Sequence, residues 1–122
     1  MKLKTLPPTL RDRKRYILFK IISEEKIDFL QFKEAFFNTV LNFFGEIGFS
    51  KISPKFLENL FNEQEYKGVL RVYYKHLSEA ILCLGLISRI GESRVNVKIY
   101  KVSGTIKSLM ESNLKIKKEL MN

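Results

Sequence analysis

A chain of 122 residues, 45% hydrophobic and 29% charged, has the make-up of one globular domain and is too short for two ordinary ones. It holds no run of about 18 uncharged apolar residues that could cross a bilayer, and its basic N-terminus lacks the apolar stretch and small-residue cleavage site of an export signal, so it reads as a soluble cytoplasmic protein with no membrane role. The formal charge of +9 is concentrated at the two ends: residues 1–20 hold seven Lys/Arg against one acid, residues 21–88 seven against nine, and residues 89–122 eight against three. A folded domain with its termini on one side would then turn a basic face to a polyanion.

Residues 1–14 read as a basic arm. Pro7 and Pro8 have no amide donor and hold it extended, and Lys2, Lys4, Arg11, Arg13 and Lys14 charge it, with Arg15 just beyond. A single domain occupies residues 15–122. Its first stretch, "RYILFKII" (15–22), predicts a central strand: Ile17, Phe19 and Ile21 share one face, Tyr16, Leu18, Lys20 and Ile22 the other, and both faces are largely apolar.

"IDFLQFKEAFFNTVLNFFG" (27–45) predicts a helix. Asp28 is placed as N-cap with Gln31 at the capping-box position, Ile27 and Phe32 have staple spacing, and Gly45 would supply a left-handed stop. One apolar stripe runs through Phe29, Phe32, Phe36, Val40 and Phe43, and a second through Leu30, Phe37, Leu41 and Phe44. Together they exceed the ~100° width that packing on one layer requires, so part of this surface needs a partner.

"KISPKFLENLF" (51–61) predicts an edge strand, since Pro54 cannot donate to a ladder, and "NEQEYKG" (62–68) a turn. "VLRVYYK" (69–75) predicts the third strand, with Arg71 and Tyr73 on one face and Val72 and Tyr74 on the other. "HLSEAILCLGLISRIG" (76–91) predicts a helix that is apolar nearly all round and ends at Gly91, "RVNVKIYKV" (94–102) a fourth strand, and residues 103–122 a third helix with Ile106, Leu109, Met110, Ile116 and Leu120 on its apolar side. The order βαββαβ with an added C-terminal helix is that of an α+β, ferredoxin-like or RNA-recognition-motif-like sandwich with a four-stranded antiparallel sheet. The first and third strands are then central and the second, with Pro54, is an edge.

No catalytic constellation is visible. His76 is the only histidine and sits at a helix start, which excludes a histidine acid–base pair. Glu24 and Glu25 point apart at a strand end, and Asp28 serves better as a cap than as a metal ligand. Cys83 lies within an apolar helix without a basic neighbour, as a core cysteine does, and no phosphate-cradling glycine loop is present. "KGVLRVYY" can be laid on the RNA-recognition-motif octapeptide, but Val69 and Arg71 stand where base-stacking aromatics belong. A protein contact, or a phosphate contact through Arg71, fits that face better than base readout.

Two basic features remain. One is the arm, and the other is "VSGTIK" (102–107), where Gly104 allows close approach, a helix start offers free amides and Lys107 adds charge. "LPPTLRDRKRYI" (6–17) and "SGTIK" (103–107), flanking a ferredoxin-like core, resemble the archaeal ribonuclease P protein component 2 family, which has eukaryotic relatives. The resemblance implies a non-catalytic subunit of the ribonucleoprotein that removes the 5′ leader of precursor tRNA, an endoribonuclease whose catalyst is RNA. It implies as partners the catalytic RNA, precursor tRNA, a TIM-barrel-like protein subunit and other ribonuclease P proteins in a hetero-oligomer. The protein would bind no cofactor, magnesium being needed by the RNA. Carried over residue by residue, Arg11, Arg13, Lys14, Arg15, Ser103, Gly104, Thr105 and Lys107 become RNA-contact candidates. The surplus apolar helix surface offers Leu30, Phe37, Leu41 and Phe44, or Leu82, Leu86 and Ile90, as a protein interface. Two alternatives stay open: a stand-alone, sequence-tolerant nucleic-acid binder, and a homo-oligomeric regulatory domain holding a small anion at Gly104.

Overall fold

The computed structural model describes residues 13–121, with side chains for 13–114. Most of the arm, including Lys2, Lys4, Pro7, Pro8 and Arg11, and the side chains of Ile116 and Leu120, therefore lie outside the described residues.

Strand β1 (Lys14–Ser23) is the centre of an antiparallel sheet whose order is β2 (Lys55–Phe56), β3 (Lys67–Tyr73), β1, β5 (Ser93–Ser103), β4 (Arg89–Ile90). Ile17, Leu18 and Phe19 are buried in succession because both faces of β1 are covered. This is the ferredoxin-like sandwich. The fifth strand is a two-residue piece hairpinned onto β5 through Gly91, whose φ of 61° suits a tight two-residue turn.

On one face, helices α1 (Phe29–Ile52) and α2 (Leu77–Leu86) close over Ile17, Phe19, Ile21, Leu70 and Val72. Phe56 of β2 sits among Phe19, Phe32 and Phe36 in edge-to-face contact with each. Gly68 is required here, since a Cβ would stand 2.9 Å from the rings of Phe19 and Phe61. On the other face, helix α3 (Ile106–Met121) lies across the sheet and buries Leu109 completely against Leu18 and Val69. Lys67, only 6% exposed, ties it down: its Nζ donates to Asn113 Oδ1 at 3.1 Å and lies 4.8 Å from the centre of the Tyr100 ring. Between Leu18 and Phe19 the β1–β5 register slips by one residue and Tyr100 is the extra one, which lets it join the Leu109 cluster.

Several local expectations give way. Asp28 caps α1 as expected, its amide donating to Gln31 Oε1 at 3.3 Å, but Gly45 is a break and not a stop: it takes φ 72°, ψ −176°, and the helix resumes to Ile52, where Ser53 supplies the left-handed cap. Residues that were expected to open an edge strand are thus helical, and only Lys55–Phe56 pair with β3. The core stripe of α1 runs Phe32, Phe36, Val40 and leaves Phe43 62% exposed. Helix α2 ends at Leu86, five residues before Gly91, because Ile87 and Ile90 turn into the core. Ile90, expected on the surface of that helix, is 9% exposed in β4 and cannot serve as an interface residue. Among the described residues no helix is long and apolar enough to cross a membrane.

Candidate nucleic-acid interface

Antiparallel register brings the two basic motifs together. Tyr16 of β1 pairs with Ser103 at the end of β5, and Lys14 pairs with Tyr73 at the end of β3, so the base of the arm, the 103–107 turn and the β3–α2 junction meet at one end of the sheet. There the chain after Tyr73 makes a short 3-10 turn, Tyr74–His76, whose first amide donates to the Arg13 carbonyl at 3.0 Å. Both arginines of the arm base then approach the Tyr74 ring, Arg13 Cζ at 5.9 Å and Arg15 Cζ at 5.8 Å from its centre. Lys14 Nζ stands 5.7 Å from the Tyr73 ring, and the two tyrosines meet edge to face at 5.1 Å. Each such cation–π contact is worth about 0.5–1 kcal/mol at an exposed site. That is enough to bias where flexible side chains point, and too little to neutralise them.

Arg15 joins the two motifs physically. Its Nη1 donates to the Lys14 carbonyl at 3.1 Å, and a Cβ placed on Gly104 would come to 3.5 Å from the same nitrogen. The guanidinium thus lies beside Gly104, at a distance that a methyl group there would also tolerate. Nor does Gly104 have a left-handed φ. The turn is held by its own hydroxyls: Ser103 Oγ accepts from the Thr105 amide at 3.2 Å, and Thr105 Oγ1 accepts from the Ser108 amide at 3.2 Å as the N-cap of α3. Two of the amides expected to be free at this helix start are consequently taken. Lys107 is exposed in the first turn.

Arg71 belongs to the same region by register, opposite Tyr16 on one side and Lys55 on the other, and its Nε is buried without a hydrogen-bond partner among the described residues. The sheet face beside it is not an open stacking platform. Helix α3 covers it, and Lys67 and Gly68, two of the residues that match the octapeptide, serve packing. Of the other sequence candidates, His76 Nδ1 pairs with the Glu79 carboxylate at 2.7 Å and Cys83 is fully buried, where desolvation, with a smaller contribution from Glu79, pushes its thiol pKa up. Among the described residues no cluster of three His, Cys, Asp or Glu side chains could hold a metal ion.

Tyr73 and Tyr74 were missed as site residues. Their signal was available in the adjacent pair of aromatics at a strand end, but alternation alone sent them to opposite faces of a strand that in fact ends at Tyr73. The apolar candidates divide: Leu30, Leu41, Leu82 and Leu86 are exposed, while Phe37 and Phe44 are half-buried against the core. Ile47, 74% exposed, and Phe43 extend the bare apolar surface beyond what periodicity indicated.

The opposite end of the sheet has the other sign. Glu24, Glu25, Asp28, Glu63, Glu65 and Glu92 occupy its loops, with Lys26 among them and Arg89 and Arg94 on the adjoining strands; Ile27, Phe29, Phe61 and Tyr66, with Asp28 and Glu63, line a groove of about 630 Å³ there.

Comparison with known proteins agrees with this architecture. The profile of the Rpp14/Pop5 family matches residues 15–114. Ribonuclease P protein component 2 of Pyrococcus furiosus is 43% identical over 106 residues, covering 87% of this chain and 87% of that relative; its namesake from Archaeoglobus fulgidus is 38% identical over 114 residues, covering 93% of this chain and all of that relative. A chain in the cryo-EM structure of yeast ribonuclease MRP, 17% identical, superposes with a TM-score of 0.60 over 88% of this chain and 96% of its own length, which is a likeness of fold. With the profile spanning the domain and such relatives covering nearly the whole chain, the protein belongs to the Rpp14/Pop5 family.

Proposed function

We propose that this protein is a non-catalytic subunit of ribonuclease P that lays the basic end of its sheet on the phosphates of the catalytic RNA and so supports removal of the 5′ leader from precursor tRNA. The observation that carries the proposal is the meeting of Arg13, Lys14 and Arg15 with the Ser103–Lys107 turn on the Tyr73–Tyr74 pair. Three cations held on tyrosine rings, with Lys107 exposed in the neighbouring turn and His76 paired nearby, make a surface for phosphate and not for bond cleavage. The names of the relatives favour the same assignment.

Magnesium belongs, in this proposal, to the RNA. The protein's charges offset backbone repulsion where the ions and the substrate gather. The exposed apolar set, Leu30 and Leu41 on α1 with Leu82 and Leu86 on α2, favours a subunit over a stand-alone binder, and a TIM-barrel-like ribonuclease P protein is the partner that the family resemblance suggests for it.

The test is reconstitution of precursor-tRNA cleavage with the catalytic RNA and partner proteins at limiting magnesium. Changing Arg13, Lys14 and Arg15 together to Ala is expected to remove most of the stimulation while folding and protein association persist. Full stimulation by that variant would take the arm base off the RNA, and no stimulation by the intact chain would overturn the assignment.

A further inference from the structure

The basic end has a second recess that the motifs do not mark. Where α1 ends, the left-handed Ser53, φ 50°, turns the chain back, its amide donating to the Phe49 carbonyl at 2.9 Å. This places the last turn of α1 beside the start of β1 and the end of β3. The resulting cleft, about 290 Å³, is lined by Lys14, Ser50, Lys51, Ser53 and Tyr73. Every one of these side chains can donate a hydrogen bond. None carries negative charge and none is purely apolar, which separates this cleft from the groove at the other end of the sheet, where Asp28 and Glu63 stand in the lining.

The carbonyl end of a helix opposes an anion with about half a negative charge. Here two ammonium groups stand against it, leaving the cleft positive by roughly 1.5 charges. The hydroxyls of Ser50, Ser53 and Tyr73 suit the non-bridging oxygens of a phosphodiester, which accept several donors at once. Lys14 and Tyr73 line this cleft and also belong to the arm-base cluster, so the two phosphate surfaces are continuous.

We propose that the Lys14–Ser50–Lys51–Ser53–Tyr73 cleft binds a backbone phosphodiester of the RNA, one step along the strand from the Arg15–Gly104 contact, with Lys51 as its principal charge. The proposal rests on the ribonuclease P reading above. It extends that reading to a residue on α1 that neither basic motif contains.

The test uses the full chain and an archaeal ribonuclease P RNA transcript, with affinity measured by fluorescence anisotropy across a salt series. Lys51 is exposed, so Lys51→Gln is compatible with the fold. It is expected to weaken binding about 3- to 10-fold and to make the slope of log K against log salt shallower by about 0.7–0.9, the value of one phosphate contact. Lys51→Arg is expected to restore both, and Lys26→Gln, which removes the same charge at the opposite end, to change neither. If Lys51→Gln leaves affinity and slope intact while Arg13→Gln/Arg15→Gln lowers them, the cleft is not an RNA site and the ribonuclease P reading stands. If neither variant matters, that reading fails and the cleft with it. Weaker binding at an unchanged slope, or an equal loss from Lys26→Gln, would contradict a phosphate contact at Lys51 and reduce it to helix-end packing or net charge.

Discussion

The two ends of one five-stranded sheet differ in how their charges are held. At the end formed by the start of β1 and the close of β3 and β5, Arg13, Lys14 and Arg15 lean on tyrosine faces, and no carboxylate within 4.0 Å neutralises them among the described residues. At the other end, charges of both signs mix and partly cancel: Glu24 lies 3.9 Å from Arg94. Aromatic faces orient a cation without quenching it, whereas carboxylates quench it. A surface meant for phosphates gains from the first arrangement, because cations already ordered forfeit less side-chain entropy on binding, about 0.5–1.5 kcal/mol for each.

This contrast can be broken at its support. Leu109→Ala removes the fully buried anchor of α3 and should cost about 2–5 kcal/mol of stability in urea denaturation. Because α3 begins at the 103–107 turn, loss of RNA affinity should accompany it even under conditions where the chain stays folded. Reversing the charges themselves comes next: Arg13→Glu with Arg15→Glu should weaken RNA binding by about 100-fold near 0.15 M salt, against less than about 2-fold for Glu24→Gln with Glu63→Gln. Tyr74→Ala sharpens the comparison, since it removes the platform and keeps the cations. Affinity should drop about 5- to 30-fold, in line with the ~1–2 kcal/mol of the two lost contacts, while the salt slope stays the same. The smallest effect lies away from both ends. Burial pushes the Cys83 thiol above its ordinary value of 9.0, so the neutral form is favoured in the fold; this contribution to stability is present below the unfolded pKa and is lost as pH rises through the raised one. Iodoacetamide should accordingly label Cys83 far more slowly in the folded chain than in urea.

Much of this architecture was legible in local pattern. A strand apolar on both faces had to be central, and β1 is; Asp28 and Gln31 at capping-box spacing had to start a helix, and they do. The two basic motifs were visible, though their meeting was not, because it depends on the β1–β5 register and on a turn that begins at Tyr74. Gly45 shows the limit of punctuation: a left-handed glycine can end a helix or merely break it, and the choice was made by Ile52, which is buried about two turns beyond it. Lys51 was hidden by the same error, since a residue read into an edge strand could not be placed at a helix end. Helix α3 had a clear apolar stripe, but which face of the sheet received it depended on Leu18 and Val69, which periodicity alone left equivalent to their neighbours.

The most direct measurement asks which end of the sheet lies on the RNA. Cys83 is buried, so Lys75→Cys at the tyrosine end and Glu63→Cys at the acidic end each provide one accessible thiol to which iron–EDTA can be tethered. In the reconstituted complex, hydroxyl radicals released from position 75 should cut the catalytic RNA at a confined set of nucleotides, and those from position 63 should leave it intact or cut it only weakly. Equal cutting from both positions, or cutting from position 63 alone, would contradict the assignment of the basic end as the RNA surface.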